Sequence, residues 1–106
     1  MPKYLLQGSY TEDGLKGLLK EGGSQRRQAA EKVVQSVGGT VEAYYFAFGD
    51  NDFLLIADLP DNVSATALSL VGSSSGTINA NVTVLLTPEE VDEATKRTVD
   101  FRPSGR

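Results

Sequence analysis

Neither cysteine nor histidine occurs in this chain. The first absence removes disulfides, thiolate metal sites and cysteine nucleophiles together, and it fits a reducing compartment. The second removes imidazole ligation of haem or zinc and every His-based triad or acid–base pair. Basic residues are few: 10 Lys and Arg stand against 14 Asp and Glu, giving a formal charge of −4. A nucleic-acid module needs a concentrated basic face, and only Arg26-Arg27 is locally basic ahead of the C-terminal segment, so nucleic acid is not an expected partner. Long apolar runs are also missing. The opening Met1-Pro2-Lys3-Tyr4 does not begin a signal peptide, and no stretch approaches the roughly 18 apolar residues of a membrane span. The expectation is a soluble cytoplasmic protein without a membrane partner.

What is present suits one domain. The 106 residues are 40% hydrophobic and 23% charged, an ordinary globular balance. A domain of this size buries only about 60 to 70% of its unfolded surface, so a subunit contact would add useful stability.

Lys3 to Tyr10 reads as a strand with Tyr4, Leu6 and Tyr10 on one face, ending at a Thr11 able to cap a helix. Leu15, Leu18, Leu19, Ala29, Ala30, Val33, Val34 and Val37 follow at the spacing of an amphipathic helix that Gly38-Gly39 ends. Two interior glycines, Gly22-Gly23, predict a break with a new start at Ser24. Thr40 to Phe48 and Asp52 to Leu59 are β-prone and flank the turn Gly49-Asp50-Asn51, which predicts an antiparallel hairpin. Strict alternation puts Val41, Ala43, Tyr45 and Ala47 on one face of its first arm and Tyr44, Phe46 and Phe48 on the other.

Asp61 to Val71 carries Val63, Ala67, Leu70 and Val71 at helical spacing, and Gly72 to Gly76 reads as its polar end. Thr77 to Leu86 alternates cleanly, with Asn79, Asn81 and Thr83 opposite Ile78, Ala80, Val82, Val84 and Leu86. Thr87-Pro88-Glu89-Glu90 starts a last short helix through a capping box, to about Arg97. Residues 1–97 form the expected domain and 98–106 a loosely held tail.

This order predicts an α+β, ferredoxin-like βαββαβ fold with an additional short C-terminal helix and an antiparallel four-stranded sheet. Both helices then cover one sheet face. The hairpin is apolar on both of its faces, so apolar side chains remain on the open side whichever face the helices take, and such a patch marks an interface or a cleft. Tyr44, Phe46 and Phe48 are the interface candidates, and the expected partner is a second copy of the chain, in a dimer or higher homo-oligomer.

The run from Phe48 through Gly49-Asp50-Asn51-Asp52 to the aliphatic Phe53–Leu59 and Pro60, with Tyr10-Thr11, Gly14 and Gly38-Gly39, resembles the GYD domain family over roughly residues 3–86. That family is bacterial and functionally uncharacterised. Asn51 stands where the family has tyrosine, so whatever that ring does is not carried over. The resemblance implies a relative of the dimeric α+β barrels, in which two ferredoxin-like subunits pack sheet against sheet.

Candidate ligand contacts are Arg26, Arg27, Tyr45, Asp52, Asn79 and Asn81. Asp52, with Asp50, flanks a turn: paired carboxylates can hold a cation or move protons, but turn aspartates commonly bond backbone instead. Arg26 falls on the core-facing stripe of its helix, where a cation requires a partner; Glu31 and Asp52 are the acidic neighbours to hand, and with Arg27 it can meet a carboxylate or phosphate. Asn79 and Asn81 can line an open-face cleft with Tyr44 or Tyr45. The glycine clusters lack a phosphate-loop spacing. No metal site and no cofactor is expected. The functional expectation is a homo-oligomeric small-ligand-binding or assembly module; the alternative is a cofactor-free oxygenase or isomerase with a sheet-face pocket.

Overall fold

The computed structural model describes residues 1–47 and 49–105. Its elements run β1 (Lys3–Tyr10), α1 (Glu12–Glu21), α2 (Gly23–Ser36), β2 (Thr40–Phe46), β3 (Phe53–Asp58), α3 (Asn62–Ser74), β4 (Ile78–Leu85) and α4 (Pro88–Thr95). The four strands form one antiparallel sheet in the order β2-β3-β1-β4. The fold is therefore α+β and ferredoxin-like, with an added C-terminal helix.

Strand register sorts the side chains into two faces. On one, Val41, Ala57, Tyr4 and Val84 stand in a row, followed by Tyr44, Leu55, Leu6 and Val82. Here Tyr4, Leu6, Leu55 and Ala57 join Val34 of α2 and Ala65 and Leu68 of α3 in a single core with Leu59. Full burial of a leucine side chain contributes about 2 kcal/mol. Tyr4, only 1% exposed, keeps its phenol satisfied by donating to Asn62 Oδ1 at 2.6 Å. On the other face run Tyr45, Leu54, Gln7 and Asn81, then Ala43, Ile56, Leu5 and Thr83.

One departure from strict alternation explains the hairpin. The register slips between Val41 and Ala43, so Val41 packs on the core while Ala43 pairs with Ile56 on the open face. A bulge inserts one residue and flips the faces that follow. The residue at the slip, Glu42, accepts from Lys3 Nζ at 2.9 Å, as does Asp58 at 2.9 Å, tying three strands together.

The break at the glycine pair is real. Gly22, at φ 82° and ψ 170°, closes α1 and opens α2. That backbone region is essentially closed to residues with a Cβ. Before it, Thr11 Oγ1 accepts from Gly14 N at 3.2 Å, while Thr11 N donates to Thr77 O at 2.9 Å. A Cβ on Gly14 would run into that same Thr77 carbonyl, so glycine lets α1 start directly on the α3–β4 connection.

Helix α3 runs three residues beyond its expected end at Val71, through Gly72, Ser73 and Ser74. The serines serve the helix rather than break it: Ser74 Oγ donates to Val71 O at 2.9 Å and Ser75 Oγ to Gly72 O at 2.6 Å. Packing on β4 carries the extension, since Gly72 leaves just enough room for Ile78. At the C-terminus, Thr87 and Glu90 form the expected capping box. No described helix is long and apolar enough to cross a membrane.

Candidate functional site

Helices α2 and α3 lie apart over the sheet and leave a cavity of about 330 Å³ between them. Its floor is Leu6, Phe53, Leu55 and Ala80; Ala30 and Val33 of α2 and Leu68 and Val71 of α3 form its sides. Ala29 and Ala30 on α2 and Gly72 on α3 put small residues on its wall. Cavities of this size, largely apolar with a few polar groups, are the usual form of a small-molecule site.

The polar groups converge from three elements. Arg26 enters from the first turn of α2, Tyr10 from the end of β1 and Tyr44 from β2. The Tyr10 ring packs against Phe53 at 5.2 Å, and Tyr44 meets Phe46 edge-on at 5.3 Å, so both phenols are braced by aromatic neighbours. Burial first, then a side-chain hydrogen bond with Tyr10, pushes the Tyr44 phenol well above its ordinary value, against a smaller pull from the Arg26 charge. Tyr44 is thus a neutral phenol throughout the physiological range. Ser75 and Thr77 also reach the wall, but their hydroxyls are engaged with each other at 2.7 Å.

Of the residues singled out from sequence, Arg26 and Tyr44 meet in this cavity. Arg26 has found its acidic partner in Glu21, Nη1 to Oε2 at 3.4 Å across the Gly22 hinge, rather than in Glu31 or Asp52. Arg27 is not on the cavity wall; it pairs with Glu31 at 3.6 Å and lines a second crevice with Gly23, Ser24, Tyr45 and Phe46, which shares Tyr44 with the cavity. Asp52 is outside the cavity: Oδ2 accepts from Tyr10 N at 2.8 Å while its own N–H donates to Gly8 O at 2.8 Å. Its carboxylate therefore does backbone work, though on the neighbouring strand and not within its turn. By fixing the end of β1 it also positions Tyr10.

Asn79 and Asn81 are exposed on the opposite face of the sheet, in or beside the row of Tyr45, Leu54 and Gln7. They cannot share a cleft with Tyr44, which the register turns toward the helices. Phe46 stands on that helix side as well, 39% exposed at the edge. The apolar set on the open face is instead Leu5, Leu54, Ile56, Ala43 and Tyr45. Phe48 lies outside the described residues. Among the described residues no cluster of three acidic groups is arranged to hold a metal ion.

Tyr10 is the site residue that sequence reading placed on a strand face without assigning it a role. The usable signal was its position on the Tyr4–Leu6 face next to a helix cap.

Compared with known families, the chain matches the GYD domain over residues 4–95. No curated protein and no solved structure matches it.

Proposed function

We propose that this chain, which belongs to the GYD domain family, binds a small and largely apolar molecule in the cavity between its sheet and its two long helices, and does so as a homo-oligomer. The cavity carries this reading. Leaving about 330 Å³ of space against Leu6, Phe53 and Leu55 forfeits packing contacts that a filled core would make, and a ligand restores them. Oligomer formation is supported by the open face, where Leu5, Leu54 and Ile56 stand in the middle of the sheet with only part of their surface covered. The absence of cysteine, together with the family's bacterial character, fits work in a bacterial cytoplasm.

Titration with the uncharged dye N-phenyl-1-naphthylamine tests the reading. Its fluorescence should rise and saturate at one dye per chain. Ala29→Phe, which fills the α2 side of the cavity, should abolish that rise while the far-ultraviolet circular dichroism stays the same. Dye binding that survives the substitution places the site elsewhere.

A second reading, a cofactor-free enzyme, is favoured by one observation: two phenols beside a guanidinium on one cavity wall can donate to and stabilise an oxygen anion. Binding is common to both readings, and turnover would be added to it.

A further inference from the structure

We infer that the cavity takes an apolar carboxylate, a monoanion whose charged end is met by Arg26 together with the phenols of Tyr10 and Tyr44. The inference rests on the ligand-binding reading and adds the chemical class. Arg26 is the one charged residue on the described wall; every other lining residue is neutral, and most are aliphatic or aromatic. A single cation at the rim of an apolar cavity is electrostatically complementary to one negative charge on an otherwise greasy molecule.

The guanidinium is available for that role. Among the described residues its hydrogen bond goes to Glu21 through Nη1 alone, and 3.4 Å is long for a charge-assisted contact. Both partners are substantially solvated, with side chains 34% and 41% exposed, and pairs of that kind hold weakly. Guanidinium presents five donors in a planar fork matched to a carboxylate, so the remaining donors can engage a ligand whether or not Glu21 stays.

Tyr44 supplies the second contact. Its neutral phenol donates, and an anion is the better acceptor than the Tyr10 hydroxyl that now neighbours it. The remaining hydroxyls on the wall do not compete. Ser75 donates to Gly72 O, and Thr77 is bonded to Ser75. The chain's net charge of −4 gives no long-range attraction for anions, so selection must be local to Arg26.

Matched probes separate the claim from the reading beneath it. 2-Naphthoate and the isosteric, uncharged 2-naphthamide are titrated by calorimetry against the native chain, Arg26→Met and Arg26→Lys. The native chain should prefer naphthoate by roughly tenfold, the size of one charge-assisted hydrogen bond. Arg26→Met should erase the preference by weakening naphthoate while leaving the amide unchanged, and Arg26→Lys should retain part of it. Equal binding of the two probes by the native chain, or a preference that persists in Arg26→Met, overturns the carboxylate assignment and leaves the cavity a neutral apolar site. If neither probe binds, ligand binding itself fails and the assignment fails with it.

Discussion

At Tyr44 the structure moves the ionisation of a phenol upward and keeps the group a donor further into the alkaline range. Half-burial under α2 removes water from the phenolate, and Tyr10 disfavours the charge further, so the ionisation is displaced upward from an ordinary value of 10.0. The unfolded chain ionises first on raising the pH. The folded state therefore holds more protons above pH 10, and this contribution to stability is whole below pH 10 and lost as pH rises from there toward the raised native value. Absorbance at 295 nm during alkaline titration should contain a late tyrosinate amplitude that falls by one tyrosine in Tyr44→Phe. A late amplitude unchanged in that variant contradicts the buried phenol. Asp52 shows the same scale from the opposite side: a carboxylate in a promising motif is consumed by the Tyr10 N–H, and its effect on the cavity is indirect.

At the scale of elements, the junction between α1 and α2 decides whether the cavity has a polar end. Gly22 turns the chain through φ 82°, ψ 170°, which lets α2 start afresh with Arg26 in its first turn beside Tyr44. Had one helix continued, the phase of Arg26 would be set by α1. Gly22→Ala places a Cβ in a backbone region that costs about 1–3 kcal/mol for a non-glycine residue. Urea unfolding should show a loss in that range. No loss would mean that the hinge relaxes freely and does not fix Arg26. Bulging at Glu42 is the second element-scale device. It moves Val41 onto the core and Ala43 to the open face, and the Lys3 contacts to Glu42 and Asp58 pin it.

For the whole molecule, shape is the informative quantity. The described chain has a radius of gyration of 16.9 Å and extents of 57 × 32 × 23 Å. A compact domain of about 100 residues has a radius near 13 Å. The excess is the C-terminal arm: α4 buries none of its residues, and Leu86, Val91, Val99 and Phe101 are all largely exposed. Helix α4 is nonetheless well capped, so its local structure is specified although none of its residues is buried. Under the proposed homo-oligomer, the apolar open face and this arm both gain cover from a second copy. Sedimentation velocity should find a dimer or larger species, and Ile56→Glu, placing a charge in the middle of the open face, should shift it toward monomer by tenfold or more in dissociation constant, the order of a buried unpaired charge. A native chain that sediments as a monomer at high concentration rejects the homo-oligomer and leaves the cavity reading intact.

Sequence alone determined the order of elements, because period-two and three-to-four spacing, a glycine pair and a Thr-Pro-Glu-Glu cap are local signals that tertiary contacts did not override. It also carried the GYD resemblance and the expectation that Arg26 needs an acidic partner. Tertiary structure alone decided which face of β2 meets the helices, since alternation gives two faces without naming them and a one-residue bulge exchanges them partway along. It decided that α3 outlasts Val71, through contact with β4. Above all it decided that α2 and α3 stand apart, for the distance between two helices far separated along the chain is set by what fills the space between them, and no local pattern records an unfilled space.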